Sequence, residues 1–233
     1  MLNSCTKELK FEQKKFEQKI RSKNDIITKI CIDVPIAKGI SLDTDSINKA
    51  VFTAIKEIVY VGDKPFQATN YPALTAAFIN YYTNASIHNT TELAWTISIQ
   101  GEITHKSETI LNIALNHYSF TGGAHGYAGK RSLIFDSTTG KLISNKKLFL
   151  DEQKFKIMAE SKFRIKYKIP PKVPINATDF MFENDEFQLP QTYFFTKKGL
   201  LLFYNVYEIA SYSQGNFEVL IQYNEIKPYL KTI

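Results

Sequence analysis

Two short stretches and one early cysteine hold the side chains that could do chemistry. The first stretch is Tyr118-Ser119-Phe120-Thr121-Gly122-Gly123-Ala124-His125-Gly126. Three glycines within five residues let the backbone take positive φ or come close to another group. With His125 as acid or base, such a loop could cradle an oxyanion or a phosphate. It has neither the Walker lysine nor the spacing of a dinucleotide fingerprint. No Gly-x-Ser-x-Gly nucleophile accompanies it. A structural turn built on Thr121, Gly122, Gly123 and Gly126, with His125 bonded to backbone, is the better fit. His88, His105 and His117 share no metal-ligand spacing with His125, so no metal site and no cofactor are expected.

The second stretch is Phe203-Tyr204-Asn205-Val206-Tyr207-Glu208-Ile209-Ala210-Ser211-Tyr212-Ser213-Gln214-Gly215. Tyrosines beside a carboxylate and an amide could line a sugar or peptide site, with Tyr207, Glu208 and Tyr212 in contact with the ligand. Equally, Tyr207 and Tyr212 could be half-buried core residues with wet hydroxyls.

The cysteine is Cys5. The opening Leu2-Asn3-Ser4-Cys5 has the Leu, any residue, small residue, Cys order of the bacterial lipobox, in which the cysteine is lipidated. Acyl chains hold a protein to a membrane through their buried methylenes. The sequence itself shows no charged n-region or apolar h-region ahead of that Cys. Next comes Lys10-Phe11-Glu12-Gln13-Lys14, repeated at once as Lys15-Phe16-Glu17-Gln18-Lys19. A charged stretch of this kind reads as a spacer between anchor and domain, open to helix formation. The other cysteine, Cys31, sits in the apolar run 26–34 and reads as a small hydrophobe, so no disulfide is expected.

The elements around these stretches follow from hydrophobic period. Residues 26–36 read as a strand. Ile47, Ala50, Val51, Ala54, Ile55 and Ile58 fall on one helical face, as do Leu74, Ala77, Phe78, Tyr81 and Tyr82. Asp43 or Asp45 could cap the first helix and Pro72 suits the first turn of the second. The period then changes to two. Trp95, Ile97, Ile99 and Ile103 alternate with polar residues, and 109–120 continues as a hairpin partner. Residues 132–136 and 142–143 suggest another hairpin. Residues 151–167 suggest a helix with Phe155, Met158, Ala159 and Phe163 inward. Residues 193–196, 200–204 and 217–223 suggest three more strands, with a closing helix over 224–230. Between them, 168–192 holds Pro170, Pro171, Pro174 and Pro190 with Asp179, Glu183, Asp185 and Glu186. A loop of that length is expected to be functional or mobile. Strands without regular crossover helices point to an α+β fold: a mostly antiparallel sheet with helices packed on it.

Composition bounds the function. The chain has 233 residues, of which 13% are aromatic, enough to build a core and too rich for disorder. No apolar run is long enough to be a transmembrane helix. The net charge is +6, but residues 6–24 hold seven lysines and arginines against three glutamates. The remainder is nearly balanced, and the whole chain has only Arg21, Arg131 and Arg164 as arginines. Nucleic-acid binding is therefore not expected.

Three motifs occur together: Thr121 to Gly126, the turn Thr139-Gly140-Lys141, and Tyr207-Glu208-Ile209-Ala210-x-Tyr212-x-x-Gly215. The combination resembles one bacterial envelope family, whose two adjoining modules are domains of unknown function 4163 and 3298. The resemblance covers about residues 26–230. That family includes the extracytoplasmic part of a lysozyme-sensing anti-sigma factor and the N-terminal region of a peptidoglycan deacetylase. The resemblance implies an α+β fold outside the cytoplasm, used for binding. The sequence shows no sigma-binding segment and no polysaccharide-deacetylase domain, so neither activity carries over. The organisation expected is an anchor and spacer over 1–24, one α+β module over 25–144 and another over 145–233. The function expected is that of a membrane-anchored, extracytoplasmic binding module. Its partner would be cell-wall glycan or an envelope or secreted protein such as lysozyme, met by His125, Tyr207, Glu208, Tyr212, Asp185 and Glu186. The alternative is a hydrolase of cell-wall material using His125 as acid or base.

Overall fold

The computed structural model describes residues 9–22, 25–39, 42–86 and 93–231. β1 (Lys10–Arg21) and β2 (Ile27–Lys38) pair antiparallel in unbroken register, from Lys10 opposite Lys38 to Arg21 opposite Ile27. α1 (Leu42–Val59) and α2 (Tyr71–Ser86) come next, then β3 (Thr96–Lys106), β4 (Ile110–Phe120) and β5 (Tyr127–Asp136). These strands form a five-stranded sheet in the order β1-β2-β3-β4-β5. β2 and β3 run parallel, which the two intervening helices make possible. α3 (Asn145–Leu148) and α4 (Glu152–Lys166) follow. β6 (Thr192–Phe195), β7 (Gly199–Tyr204) and β8 (Phe217–Gln222) form an antiparallel three-stranded sheet, and α5 (Tyr223–Ile226) closes the chain. The fold is α+β, as expected.

The chain divides into two compact units. The first comprises Met1–Glu102, Leu115–Ala128 and Phe135–Leu142; the second comprises Ile103–Ala114, Gly129–Ile134 and Ile143–Ile233.

In the first unit, Ile47, Val51 and Ile55 of α1, Leu74 and Phe78 of α2, and Ile30, Ile32 and Val34 of β2 are all fully buried. The helical and strand periods read from the sequence thus meet in one layer. Asp43 and Asp45, expected as caps, lie in the first turn of α1, where they face the positive end of the helix dipole. Asn70 caps α2, its Oδ1 accepting from Ala73 N–H at 2.8 Å.

The spacer reading of 10–21 does not hold, because this segment is the edge strand β1. A five-residue repeat matches neither helix nor strand, and it puts Phe11 and Phe16 on opposite faces of an extended chain. Phe16 stacks on Tyr71 of α2 with ring centroids 4.6 Å apart. The charges line the exposed positions and pair along the strand, as Lys15 does with Glu17 at 2.8 Å. Charge on an edge strand deters pairing with another chain.

β2 carries Pro35 in its interior, and its pairing with β3 stops at Asp33 opposite Gln100. Lys29 N–H donates to Trp95 O, so the same ladder extended by six residues would ask the nitrogen of residue 35 to donate to Gly101 O. Proline has no N–H. Gln13 supplies the missing donor, its Nε2 reaching Gly101 O at 3.0 Å. A Cβ on Gly101 would lie 2.8 Å from Pro35 Cδ, so glycine is required opposite the ring. Beyond the proline, Asn48 of α1 pairs its amide with both backbone groups of Ala37, at 2.9 and 3.0 Å.

The second unit is built on aromatic packing. Phe155, Phe163, Tyr193, Phe195 and Tyr204 are fully buried together with Leu200, Leu202 and Ile221. The segment 168–192, expected to be functional or mobile, is neither extended nor loose: Ile169, Ile175, Phe180, Phe182 and Phe187 are buried in this core. Phe163 of α4 meets Phe180, Phe182 and Phe187 at 5.0–5.5 Å between centroids. Asn112 of β4 is fully buried and completely engaged. It donates to Ser132 Oγ and Leu133 O and accepts from Phe195 N–H at 2.8 Å.

Candidate functional site

The glycine-rich loop in the first unit is shaped by two distinct needs. Gly122 and Gly123 hold φ of +100° and +92°, which favours glycine irrespective of space. Gly126 instead gives way to a neighbour, since a Cβ there would sit 2.5 Å from Tyr118 Cε2. His125 is exposed and its Nδ1 lies 3.0 Å from Gly126 O. Thr121 is half-buried at the end of β4. Among the described residues there is no group of three or more His, Cys, Asp or Glu that could hold a metal. Cys31 is half-buried in β2, and burial pushes its thiol up. Cys5 and His88 lie outside the described residues.

The tyrosine stretch forms a tight turn in the second unit, and its polar residues hold backbone. Glu208 accepts from Gln191 N–H at 2.7 Å with one oxygen and from Asn205 N–H at 2.9 Å with the other. Burial pushes its carboxyl up, while these two bonds pull it back. Asn205 presents its amide to Lys130 of β5, accepting from Lys130 N–H at 2.7 Å and donating to Lys130 O at 3.0 Å. Val206, Ile209 and Ala210 are buried. With its flanks fastened in this way, Tyr207 sits at φ +68°, a left-handed conformation that a bulky residue rarely adopts. It is 58% exposed. Its ring lies 5.4 Å from that of half-buried Tyr212, inclined at 36°. Tyr212 opens a one-turn helix braced by Ser211 and Gln214, and Gly215 ends it at φ +76°.

The acidic segment is fastened to the same turn, through Met181 N–H to Ile209 O at 2.8 Å. Asp185 accepts from Asn176 N–H at 2.9 Å, and Asn176 in turn pairs its amide with the backbone of Phe182. Asp185 and Glu186 are both exposed.

Of the residues singled out from sequence, Tyr207, Glu208 and Tyr212 share one turn in the second unit, while His125 and the glycines belong to the first. Glu208 is a structural anchor, because both carboxylate oxygens are engaged by backbone. Sequence reading missed Asn205, which orients the turn, and His105, which lines a groove in the second unit. The Asn-x-x-Glu spacing was the available signal for the first. Nothing local marks the second.

Residues 6–128 match the family model described as deacetylase PdaC, and residues 145–224 match that of a protein of unknown function, DUF3298. Two crystal structures have the same fold. One is a DUF3298-family protein from Bacteroides fragilis, with a TM-score of 0.73 and 17% identity over 96% of this chain and 94% of that one. The other is a DUF3298-family protein from Pseudomonas aeruginosa, with a TM-score of 0.67 and 21% identity over 97% of this chain and 95% of that one. No curated protein matches the sequence. With more than half of its length covered by one model, the chain belongs to the deacetylase PdaC family, and it carries a DUF3298 segment C-terminal to that match.

Proposed function

We propose that this protein is a non-catalytic binding module of the bacterial cell envelope, extracytoplasmic and tethered through lipid on Cys5. It presents Tyr207 and Tyr212 to an envelope or secreted protein of cationic character, such as lysozyme. The observation that carries the reading is the exposed Tyr207 ring, held on a strained backbone against Tyr212. Strained, over-determined residues cluster where a surface works, and exposed aromatics are the usual anchors of interfaces. The two rings lie 5.4 Å apart at 36° and form one paired aromatic surface, which suits insertion into a partner's cleft. Asp185 and Glu186, on the segment fastened to this turn, would steer a cationic partner.

The test is binding of the purified protein to immobilised lysozyme, with insoluble peptidoglycan as a parallel bait. Tyr207→Ala with Tyr212→Ala should lower lysozyme affinity at least tenfold with an unchanged circular dichroism spectrum. Asp185→Asn with Glu186→Gln should slow association and flatten its salt dependence. Failure to bind either bait, or a double tyrosine variant that binds like the parent, overturns the reading. For the tether, the full-length product should enter the detergent phase and Cys5→Ala should not; equal partitioning ends that part.

A further inference from the structure

The second unit holds a half-open groove of about 700 Å³, within the range of small-ligand sites. Neither Tyr207 nor Tyr212 lines it. Its walls come from separate pieces of chain: His105 near the end of β3, the turn 107–109, Phe195 at the end of β6, Tyr223 at the start of α5, and then Lys227, Leu230 and Lys231. Three rings converge there. His105 lies 5.7 Å from Phe195 and 6.5 Å from Tyr223, centroid to centroid. Tyr223 donates its hydroxyl to Thr196 O at 2.8 Å, which fixes the ring in place. Burial lowers the pKa of His105, so the imidazole is mainly neutral at neutral pH. The cations of the groove are therefore Lys227 and Lys231. Opposite in sign is Glu108 of the turn, beside the hydroxyls of Ser107 and Thr109.

We propose that this groove binds a carboxylated sugar. The half-buried rings of His105 and Tyr223 offer faces to the apolar side of a pyranose, the Lys227 and Lys231 ammonium groups donate to its carboxylate, and the acceptors of the turn 107–109 take its hydroxyl protons. A polyphosphate fits less well, because it brings more negative charge than two lysines match and meets Glu108. The groove is independent of the tyrosine surface.

Chemical-shift titration compares glucuronate with glucose, which differ only in a carboxylate for a hydroxymethyl group. Glucuronate should shift His105 and Tyr223 resonances saturably and bind at least tenfold more tightly than glucose. Lys227→Gln with Lys231→Gln should bring glucuronate down to the level of glucose. Tyr207→Ala with Tyr212→Ala should bind glucuronate like the parent, which separates this site from the protein-binding reading. Equal affinity for the two sugars, undiminished binding by the double lysine variant, or no saturable shift with glucuronate overturns the proposal.

Discussion

Replacing Tyr207 by glycine and, separately, by alanine isolates the backbone strain beneath the proposed binding surface. Both variants remove the ring and its contact with Tyr212, so their difference reports the main chain alone. At φ +68° an L-residue bears about 1–2 kcal/mol that glycine does not. Glycine gives part of this back through the greater freedom of its unfolded chain, about 0.5–1 kcal/mol. Tyr207→Gly should therefore be more stable than Tyr207→Ala by about 0.5–1 kcal/mol. For a chain of this length that corresponds to a melting temperature higher by about 1–4 °C. Thermal unfolding followed by circular dichroism reads the difference, and urea midpoints check it. In the parent, the Tyr212 contact returns about 0.5–1.5 kcal/mol of the strain. An alanine variant as stable as the glycine variant would show that residue 207 is not left-handed in solution. The strain argument for a working surface would then fail with it.

Two further outcomes follow from polar groups that hold backbone. Gln13→Met should leave the buried Gly101 carbonyl without a donor, at about 1–3 kcal/mol and several degrees of melting temperature. Adding Pro35→Ala restores an N–H at that point and should recover part of the loss; no recovery would refute the substitution of side chain for main chain. Glu208 has a folded-state pKa raised by burial above its ordinary value of 4.5. The folded protein therefore holds its proton more tightly than the unfolded chain. That contribution to stability is full below pH 4.5 and is lost as pH rises through the folded pKa. Glu208→Gln should flatten the fall in stability across the weakly acidic range, and an unaltered slope measured by urea unfolding would contradict the burial.

Hydrophobic period alone determined much of this fold. The apolar faces of α1, α2 and α4 and the alternation in β3 and β8 were legible because helix and strand repeat at 3.6 and 2 residues wherever one face is buried. Gly122 and Gly123 were legible as backbone devices because only glycine takes positive φ freely. β1 was not legible, since a five-residue repeat of charges and phenylalanine carries no single period, and only pairing with β2 and the Phe16–Tyr71 stack settle it as a strand. The aromatic segment 168–192 reads as a loop from its prolines, yet its phenylalanines become core once α4 lies beside them. Tertiary structure alone decided the polar fastenings: Gln13 to Gly101 across 88 residues, Asn112 to Phe195 across 83, and Asn205 to Lys130 across 75. In each, a side-chain amide takes the place of a peptide group in a ladder. That substitution depends on which backbone group the fold leaves without a partner, and no local pattern records it. Whether Tyr207 was core or surface was open for the same reason: its outward position follows from Glu208 and Asn205 gripping distant backbone, not from its neighbours in the chain.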